Sequence, residues 1–304
     1  MDIKVVFMGS PDFAIPVLRE LVAYYNVVGV VTQPDRPAGR GRVLTPPPVK
    51  ELALQHAIPV IRPERLRTPE ALAQLQAWMP DLIVVAAFGQ ILRQNVLDLP
   101  RFGCINVHAS LLPRWRGAAP IQAAILAGDA ESGATIMKMD AGIDTGAMLS
   151  QSRLPILSHD TAETLSTRLS EAGAQLLIET LPAYLRRELT LIAQPQIGAT
   201  YASMIKKEDG QLDFSHTAAA LERRIRAYSP WPGAFFFVDD EMIKIKRAHV
   251  LDDKTLTAGQ RSIEAGLPVV GTSEGVLVLD EVQPSGKKPM PGDVFLRGAR
   301  NWNS

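Results

Sequence analysis

Residues 80–89 read PDLIVVAAFG, and after Pro80 and Asp81 the run stays apolar as far as Gly89. A short strand without polar alternation is typical of a parallel sheet whose two faces are both covered. The stretch at 3–10, IKVVFMGS, has the same character and ends in glycine and serine. These two stretches predict two strands of a buried parallel sheet.

Strand and helix patterns alternate along residues 1–150. Further strand runs stand at 58–63 and 103–110, and amphipathic helix runs separate them. Such alternation predicts an open, Rossmann-like, doubly wound α/β sheet that is mostly parallel. A long helical run at 161–187 completes this part of the chain, and we predict a first domain over residues 1–189.

The regular pattern is lost at 190–208, which we predict to be a linker. Residues 215–230, SHTAAALERRIRAYSP, then have helical spacing. Short strand patterns separated by Gly, Pro and Asp turns predict a small antiparallel β-barrel over residues 209–304, with an OB-like barrel as one option. These patterns are AFFFVDD at 234–240, MIKIKRAHV at 242–250, LPVVG at 267–271, GVLVLDEVQ at 275–283 and DVFLRG at 293–298.

Composition excludes several classes of protein. The single cysteine, Cys104, excludes an internal disulfide framework and a cysteine-based metal cluster. The five histidines lack the spacing of a metal site, so we expect no metal. Basic and acidic residues both number 32, so net charge does not indicate nucleic acid. The chain has no signal-peptide pattern and no apolar run that could span a bilayer, which predicts a soluble cytoplasmic protein.

The first strand-to-helix turn, FMGSPDF at 7–13, lies where many α/β proteins bind nucleotide phosphates. It contains one glycine where the dinucleotide fingerprint needs three, and the chain has no P-loop motif. These two absences argue against a nicotinamide or ATP site.

Ligands of open α/β sheets bind beyond the carboxyl ends of the strands, and INVHASLLP at 105–113 ends one strand. Strand alternation places Asn106 and His108 on the same side. An amide beside an imidazole can hold a carbonyl oxygen as it becomes an oxyanion, and the imidazole can move protons near neutral pH. Asp144, in the glycine-flanked loop DAGIDTG, is the candidate that orients this histidine. A purely structural role for a strand-end histidine is the alternative.

Two stretches together identify a family. NVHASLLPRWRGAAPIQAAI at 106–125 and DAGIDTGAML at 140–149 resemble the 10-formyltetrahydrofolate-dependent formyltransferases. The resemblance covers the N-terminal part and extends more weakly to the C-terminus. It implies that Asn106, His108 and Asp144 are catalytic and that 10-formyltetrahydrofolate is the cosubstrate, without a metal.

The resemblance also implies which residues bind the folate. Ser110, Leu111, Leu112 and Pro113 match the family's folate-binding segment, and GQIL at 89–92 matches the strand end whose backbone holds the pterin. In the implied reaction an acceptor amine attacks the formyl carbon. Asn106 and His108 stabilise the tetrahedral oxyanion, and His108, a water and Asp144 relay the proton of the amine toward the departing N10 of the folate.

An arginine-rich stretch indicates the acceptor. Residues 33–50, QPDRPAGRGRVLTPPPVK, are similar to a loop of those family members that formylate methionyl initiator tRNA. That loop enters the acceptor arm of the tRNA, and arginine suits phosphates and base edges. Arg40 and Arg42, each next to a glycine, are therefore the predicted tRNA-binding residues. The resemblance thus implies initiator methionyl-tRNA as the partner and a tRNA-binding C-terminal domain; no membrane is expected, and a monomer is the default.

Four alternatives stay open at this point. A formyltransferase acting on a nucleotide-linked amino sugar, or one of the purine pathway, shares the catalytic residues, and a folate hydrolase uses water in place of the amine. The arginine-rich stretch and the C-terminal barrel favour tRNA over these three. The fourth alternative is a non-catalytic tRNA-binding protein on the same fold, against which the intact catalytic residues argue.

Overall fold

The computed structural model describes residues 2–38, 41, 43–254, 256–299 and 301–303. The chain forms two compact units. The first comprises Met1–Pro120, Glu131–Pro155 and Ser166–Ser203, and the second comprises Ile121–Ala130, Ile156–Leu165 and Met204–Ser304.

The strands of the first unit form one large sheet and two small ones. They are β1 (Lys4–Gly9), β2 (Asn26–Val31), β3 (Arg36–Ala38), β4 (Val43–Thr45), β5 (Val60–Ile61), β6 (Leu82–Ala86), β7 (Cys104–His108), β8 (Arg116–Gly117), β9 (Glu131–Lys138), β10 (Met148–Pro155) and β11 (Tyr201–Ala202). The large sheet has the order β10-β9-β7-β6-β1-β2-β5, and β3-β4 and β8-β11 are two-stranded pairs. The five neighbouring strands β7, β6, β1, β2 and β5 run parallel, whereas β9 is antiparallel to both of its neighbours.

Helices connect these strands. A 3-10 turn, Asp12–Ala14, precedes α1 (Ile15–Tyr24), and α2 (Pro48–Gln55), α3 (Pro69–Trp78), α4 (Gln94–Leu97), α5 (Pro120–Ala127) and α6 (Ala162–Leu185) follow. The start of α3 shows how the sequence sets a boundary: Thr68 Oγ1 accepts a hydrogen bond from the Ala71 N–H, and Pro69 occupies the first turn.

The two apolar runs that predict the sheet lie side by side at its centre. β6 is buried along its whole length, and β1 is buried beyond Lys4. The chain proceeds from β1 to β2 on one side and returns to β6 on the other, so the strand order reverses between β1 and β6. Ligands of doubly wound sheets bind beyond the carboxyl ends at this point. The loops that follow β6 and β7 emerge there.

Cys104, at the start of β7, provides a test of burial in this sheet. Its thiol is buried beside the carbonyl oxygen of Val96, and burial, with a smaller contribution from the charge of Asp98, raises the pKa of the thiol to about 12. The thiolate is the reactive form. We therefore expect the folded protein to resist a thiol reagent at pH 8 and the urea-unfolded protein to react with one equivalent. Rapid reaction before unfolding would contradict this burial.

The second unit is built on an antiparallel sheet. Its strands are β12 (Ala234–Val238), β13 (Glu241–Leu251), β14 (Arg261–Glu264), β15 (Leu267–Gly271), β16 (Val276–Pro284) and β17 (Met290–Pro291). They run in the order β12-β13-β16-β15-β14, and β17 pairs with β16. A 3-10 turn (Lys207–Gly210), α7 (Ala218–Ala227) and α8 (Gly292–Leu296) accompany this sheet. Irregularities in the pairing of β13 with β16, on both sides of Arg247, bend this long strand.

One predicted strand is a helix. DVFLRG at 293–298 has a strand-like apolar run, but Gly292–Leu296 forms α8, with Asp293 in its first turn. Runs this short do not distinguish the two structures by themselves. Here the helix lets Phe295 pack edge-on against the buried ring of Trp302, at 5.5 Å between ring centroids.

The fold class is confirmed: a mixed α/β unit with a mostly parallel, Rossmann-like sheet, and a separate C-terminal antiparallel β unit. Within the described ranges, no helix combines the length and the apolar composition that crossing a bilayer requires.

Candidate active site

Asn106 and His108 lie at the carboxyl end of β7, and strand alternation puts both on one face. β7 is flanked by β6 and β9, with Asn106 opposite Val85 and Met137, and His108 opposite Thr135. The two residues are only 8% and 6% exposed. The amide and the imidazole are therefore presented from a rigid position with little solvent around it.

Asp144 meets both side chains from the loop between β9 and β10. Asn106 Nδ2 donates to Asp144 Oδ1 at 3.4 Å, and Asp144 Oδ2 lies 3.7 Å from His108 Nδ1. The backbone N–H of Gly117 also donates to Asp144 Oδ2, at 2.8 Å. Asn106 and His108, which the sequence singles out together with Asp144, thus both lie beside the carboxylate of Asp144.

A hydrogen bond determines the tautomer of neutral His108. Its Nε2 lies 2.9 Å from the carbonyl oxygen of Trp115. A carbonyl oxygen can only accept, so Nε2 carries the hydrogen and Nδ1 has the lone pair. Nδ1, with its lone pair, lies 3.7 Å from Oδ2 of Asp144.

Asp144 is held in an uncommon backbone conformation. Its φ of 52° lies in the left-handed region, which costs a non-glycine residue on the order of 1 to 3 kcal/mol, although aspartate tolerates it better than most. Asp140 supports the loop by accepting a hydrogen bond from the Gly142 N–H at 3.0 Å. Gly146 is required because a Cβ there would lie 1.8 Å from the carbonyl oxygen of Lys138. The loop therefore approaches the end of β9 too closely for a side chain at that position.

The segment Ser110–Pro113 follows β7 and is anchored by polar groups. The buried Ser110 hydroxyl donates to the carbonyl oxygen of Arg114 at 2.6 Å. Thr135 Oγ1 donates to the Ser110 carbonyl at 2.6 Å and accepts from the Leu112 N–H at 3.2 Å. Leu112 is itself buried. The side chains of Ser110 and Leu112 thus hold the segment in place.

Other parts of the predicted folate segments keep some free surface. Leu111 and Pro113 are half-buried. In GQIL at 89–92, the Gln90 side chain makes two hydrogen bonds to backbone groups of the β5–α3 connection, whereas Ile91 is exposed. Leu111, Pro113 and Ile91 therefore keep more accessible side-chain surface than Ser110 and Leu112.

The arginine-rich stretch contains a β-hairpin whose arms are β3 and β4. Arg40 and Arg42, the predicted tRNA-binding residues, lie outside the described residues. Before the hairpin, Asp35 binds Lys50 Nζ at 2.8 Å and Arg62 Nη1 at 2.7 Å, and these hydrogen bonds hold the pKa of Asp35 below its ordinary value. Part of the positive charge in this stretch is therefore neutralised locally.

Sequence reasoning leaves three residues of this site unassigned. Arg116 is buried next to Trp115, and Gln194 and Thr200 come from the segment predicted as a linker. Thr200 Oγ1 accepts a hydrogen bond from the Trp115 N–H at 2.9 Å. Gln194 Nε2 donates to the carbonyl oxygen of Asp144 at 2.8 Å. No local pattern marks Gln194, because its partner is 50 residues away in the chain.

The arrangement has the parts that acyl-type transfer to an amine needs. It offers an amide N–H donor, a histidine with a free lone pair and a carboxylate beside it, all at the open end of a sheet. Across the part of the chain that the structure describes, no group of three or more His, Cys, Asp or Glu side chains is placed to hold a metal ion.

Models of one enzyme family match both parts of the chain. The formyl transferase model matches residues 3–181, and the model of the formyl transferase C-terminal domain matches residues 204–300. The chain belongs to the formyltransferase family, and it is an enzyme of that class.

Curated relatives are similar over nearly the whole length. A protein of Bacillus subtilis (strain 168) is 48% identical over 301 residues, which cover 97% of this chain and 95% of the relative. A protein of Halorhodospira halophila is 48% identical over 305 residues, which cover 99% of this chain and 97% of the relative. Both relatives are named methionyl-tRNA formyltransferase.

Solved structures share the fold at lower identity. The N-formyltransferase from Helicobacter canadensis, in complex with folinic acid and dTDP-3-aminofucose, matches with a TM-score of 0.68 and 20% identity, covering 91% of this chain and 98% of that one. HypX from Aquifex aeolicus, in complex with tetrahydrofolic acid, matches with a TM-score of 0.64 and 14% identity, covering 98% of this chain and 47% of that one.

Proposed function

We propose that this protein transfers the formyl group of 10-formyltetrahydrofolate to the α-amine of methionyl initiator tRNA, giving N-formylmethionyl-tRNA for translation initiation. The observation that carries the proposal is the assembly of Asn106 and His108 around Asp144 at the end of β7. The close similarity of the whole chain to proteins named methionyl-tRNA formyltransferase supports the choice of acceptor.

In the proposed reaction the amine nitrogen attacks the formyl carbon, and the bond from that carbon to N10 of the folate breaks. The attacking amine must be neutral, and free α-amines titrate at about 8. An N–H of Asn106 Nδ2 and, once it is protonated, His108 stabilise the oxyanion. His108 Nδ1 takes the proton that the amine loses, Asp144 stabilises the imidazolium, and the proton passes to N10 as the folate leaves.

The folate is proposed to lie against the segments that follow β6 and β7. The backbone of residues 89–92 would hold the pterin, and the segment Ser110–Pro113 would line the same place. The half-buried Leu111 and Pro113 and the exposed Ile91 offer the apolar surface that a flat ring system needs.

The tRNA is proposed to bind through the arginine-rich stretch and the C-terminal part of the chain. Arg40 and Arg42 would contact the acceptor arm. Residues 1–189 would then be the catalytic domain, residues 190–208 the linker and residues 209–304 the OB-like tRNA-binding domain. We further propose that the protein works as a cytoplasmic monomer.

The deciding experiment is an acceptor comparison. The purified protein is mixed with 10-formyltetrahydrofolate and, separately, with methionyl initiator tRNA, uncharged tRNA, free methionine and a dTDP-linked amino sugar. We expect formylation of the charged initiator tRNA alone. Transfer to the amino sugar instead would support formyl transfer but contradict methionyl initiator tRNA as the acceptor. Cleavage of the folate without any acceptor would indicate a hydrolase.

A further inference from the structure

We infer that Gln194 is a positioning residue for Asp144, and that Arg116 sets the orientation of the Gln194 amide. The inference rests on the proposed catalytic role of Asp144. Gln194 Nε2 donates to the carbonyl oxygens of Asp144 and Gly146, both at 2.8 Å. Gln194 Oε1 accepts from Arg116 Nε at 2.9 Å. Both N–H groups and the oxygen of this amide are therefore engaged.

Arg116 decides which way the Gln194 amide points. A guanidinium has only donors, so the amide oxygen must face Arg116 and the NH₂ group must face the Asp144 loop. In the reversed orientation, donors would meet donors and the amide oxygen would meet two carbonyl oxygens. Arg116 is only 1% exposed, and its Nη1 lies 3.4 Å from Tyr201 Oη, so the guanidinium is itself held in place.

Both the backbone and the carboxylate of Asp144 are tied to the same short strand. The carbonyl of Asp144 is held through Gln194 by Arg116, and the carboxylate accepts directly from the Gly117 N–H. Arg116 and Gly117 are consecutive residues of β8. The φ of 52° at Asp144 is an unfavourable conformation that persists only where several surrounding contacts fix it. The hydrogen bonds from Gln194 and from Gly117 are two such contacts.

The chemistry of Arg116 also indicates a role beyond packing. Its hydrogen bonds and ring contact are with neutral groups, the Gln194 amide and the Tyr201 side chain. Within the described residues nothing accepts a hydrogen bond from its buried Nη2. A buried guanidinium with an unused donor is costly. Orientation of the amide that holds Asp144 accounts for its presence at this position.

Gln194→Met removes the amide at nearly constant volume. We expect kcat for formyl transfer to fall about 10- to 100-fold, because a small displacement of a reacting group has effects of this size. KM for the folate and for the tRNA should change by less than about threefold. Gln196→Met is the matched control, since Gln196 lies in the same segment and is exposed. An unchanged kcat in Gln194→Met would overturn the inference.

A double-mutant cycle separates positioning from a general structural effect. If Gln194 acts through Asp144, Gln194→Met should have almost no further effect on kcat in an Asp144→Ala background. If it lowers the residual rate by its full factor there, the positioning role is overturned while the proposed function stands. If Asp144→Ala itself transfers at the wild-type rate, the proposed catalytic role of Asp144 fails, and the positioning role of Gln194 fails with it.

The Gln194→Glu variant tests the same inference in case Gln194→Met fails to fold. A carboxylate retains an acceptor for Arg116 and pairs with its charge, so the variant should remain folded. It replaces the two donors by an oxygen that faces the carbonyls of Asp144 and Gly146. We expect a loss of kcat at least as large as for methionine, and a folded Gln194→Glu variant with normal kcat would overturn the positioning role.

Discussion

Replacing His108 by glutamine is expected to lower kcat for formyl transfer by about 10³-fold. General acid–base catalysis contributes about 10²- to 10⁴-fold, and an oxyanion donor contributes about 10²- to 10³-fold. A glutamine Nε2 can still donate to the carbonyl of Trp115, as His108 Nε2 does at 2.9 Å, so the support of the loop is retained. What is lost is the imidazole Nδ1 beside Asp144. Single-turnover transfer to methionyl initiator tRNA measures the effect.

The binding of folate should survive this substitution. In the proposed reaction His108 acts on the reacting carbonyl and on the proton, so the folate dissociation constant is expected to change by less than the rate does. His56→Ala is the control because His56 is exposed in the same unit at the end of α2. Wild-type transfer by His108→Gln would mean that the histidine is structural, which is the alternative left open by the sequence.

Replacing Trp302 by alanine is expected to destabilise the C-terminal unit by about 3 to 5 kcal/mol, the usual cost of truncating a large buried aromatic side chain. Trp302 is 2% exposed, and its ring makes edge-on contacts with Phe236 and Phe295. Its Nε1 donates to the carbonyl oxygen of Ser262 at 2.7 Å, so the substitution also leaves that oxygen without its donor.

Trp231 provides the matched control, because it is a tryptophan of the same unit that is 57% exposed. Urea unfolding followed by circular dichroism should show an early transition in Trp302→Ala and a nearly unchanged curve in Trp231→Ala. The two units need not unfold together, so the transitions are fitted separately. Folate binding should persist while the C-terminal unit is unfolded, and equal midpoints in the two variants would contradict the expectation.

Local patterns in the sequence predicted much of the architecture and the main candidates for the site. The apolar runs of β1 and β6 and the cap at Thr68 are decided within about ten residues, so neighbours in the chain suffice to recognise them. Asn106 and His108 could be placed together for the same reason, because alternation along one strand fixes their side. The glycine-flanked loop singles out Asp144, and the family resemblance then implies one catalytic role for all three residues.

Residues 190–203 show where local reasoning ends. The segment lacks periodicity, and only the folded chain shows that it brings Gln194 and Thr200 to the site. The polar side chains of such a segment have no pattern to reveal their partners. The helix at Gly292–Leu296 is a second case, since contact with Trp302 decides between two structures that its short apolar run allows.

The fold class, the order of the elements and the residue types available for formyl transfer follow from local patterns along the chain, because periodicity and motifs are properties of neighbouring residues. The tautomer of neutral His108, the left-handed backbone of Asp144 and the connection from Arg116 through Gln194 to that loop are visible in the folded chain alone. Each of these depends on a hydrogen bond or close approach between groups distant in the chain. Folding must bring such groups together before their chemistry is defined.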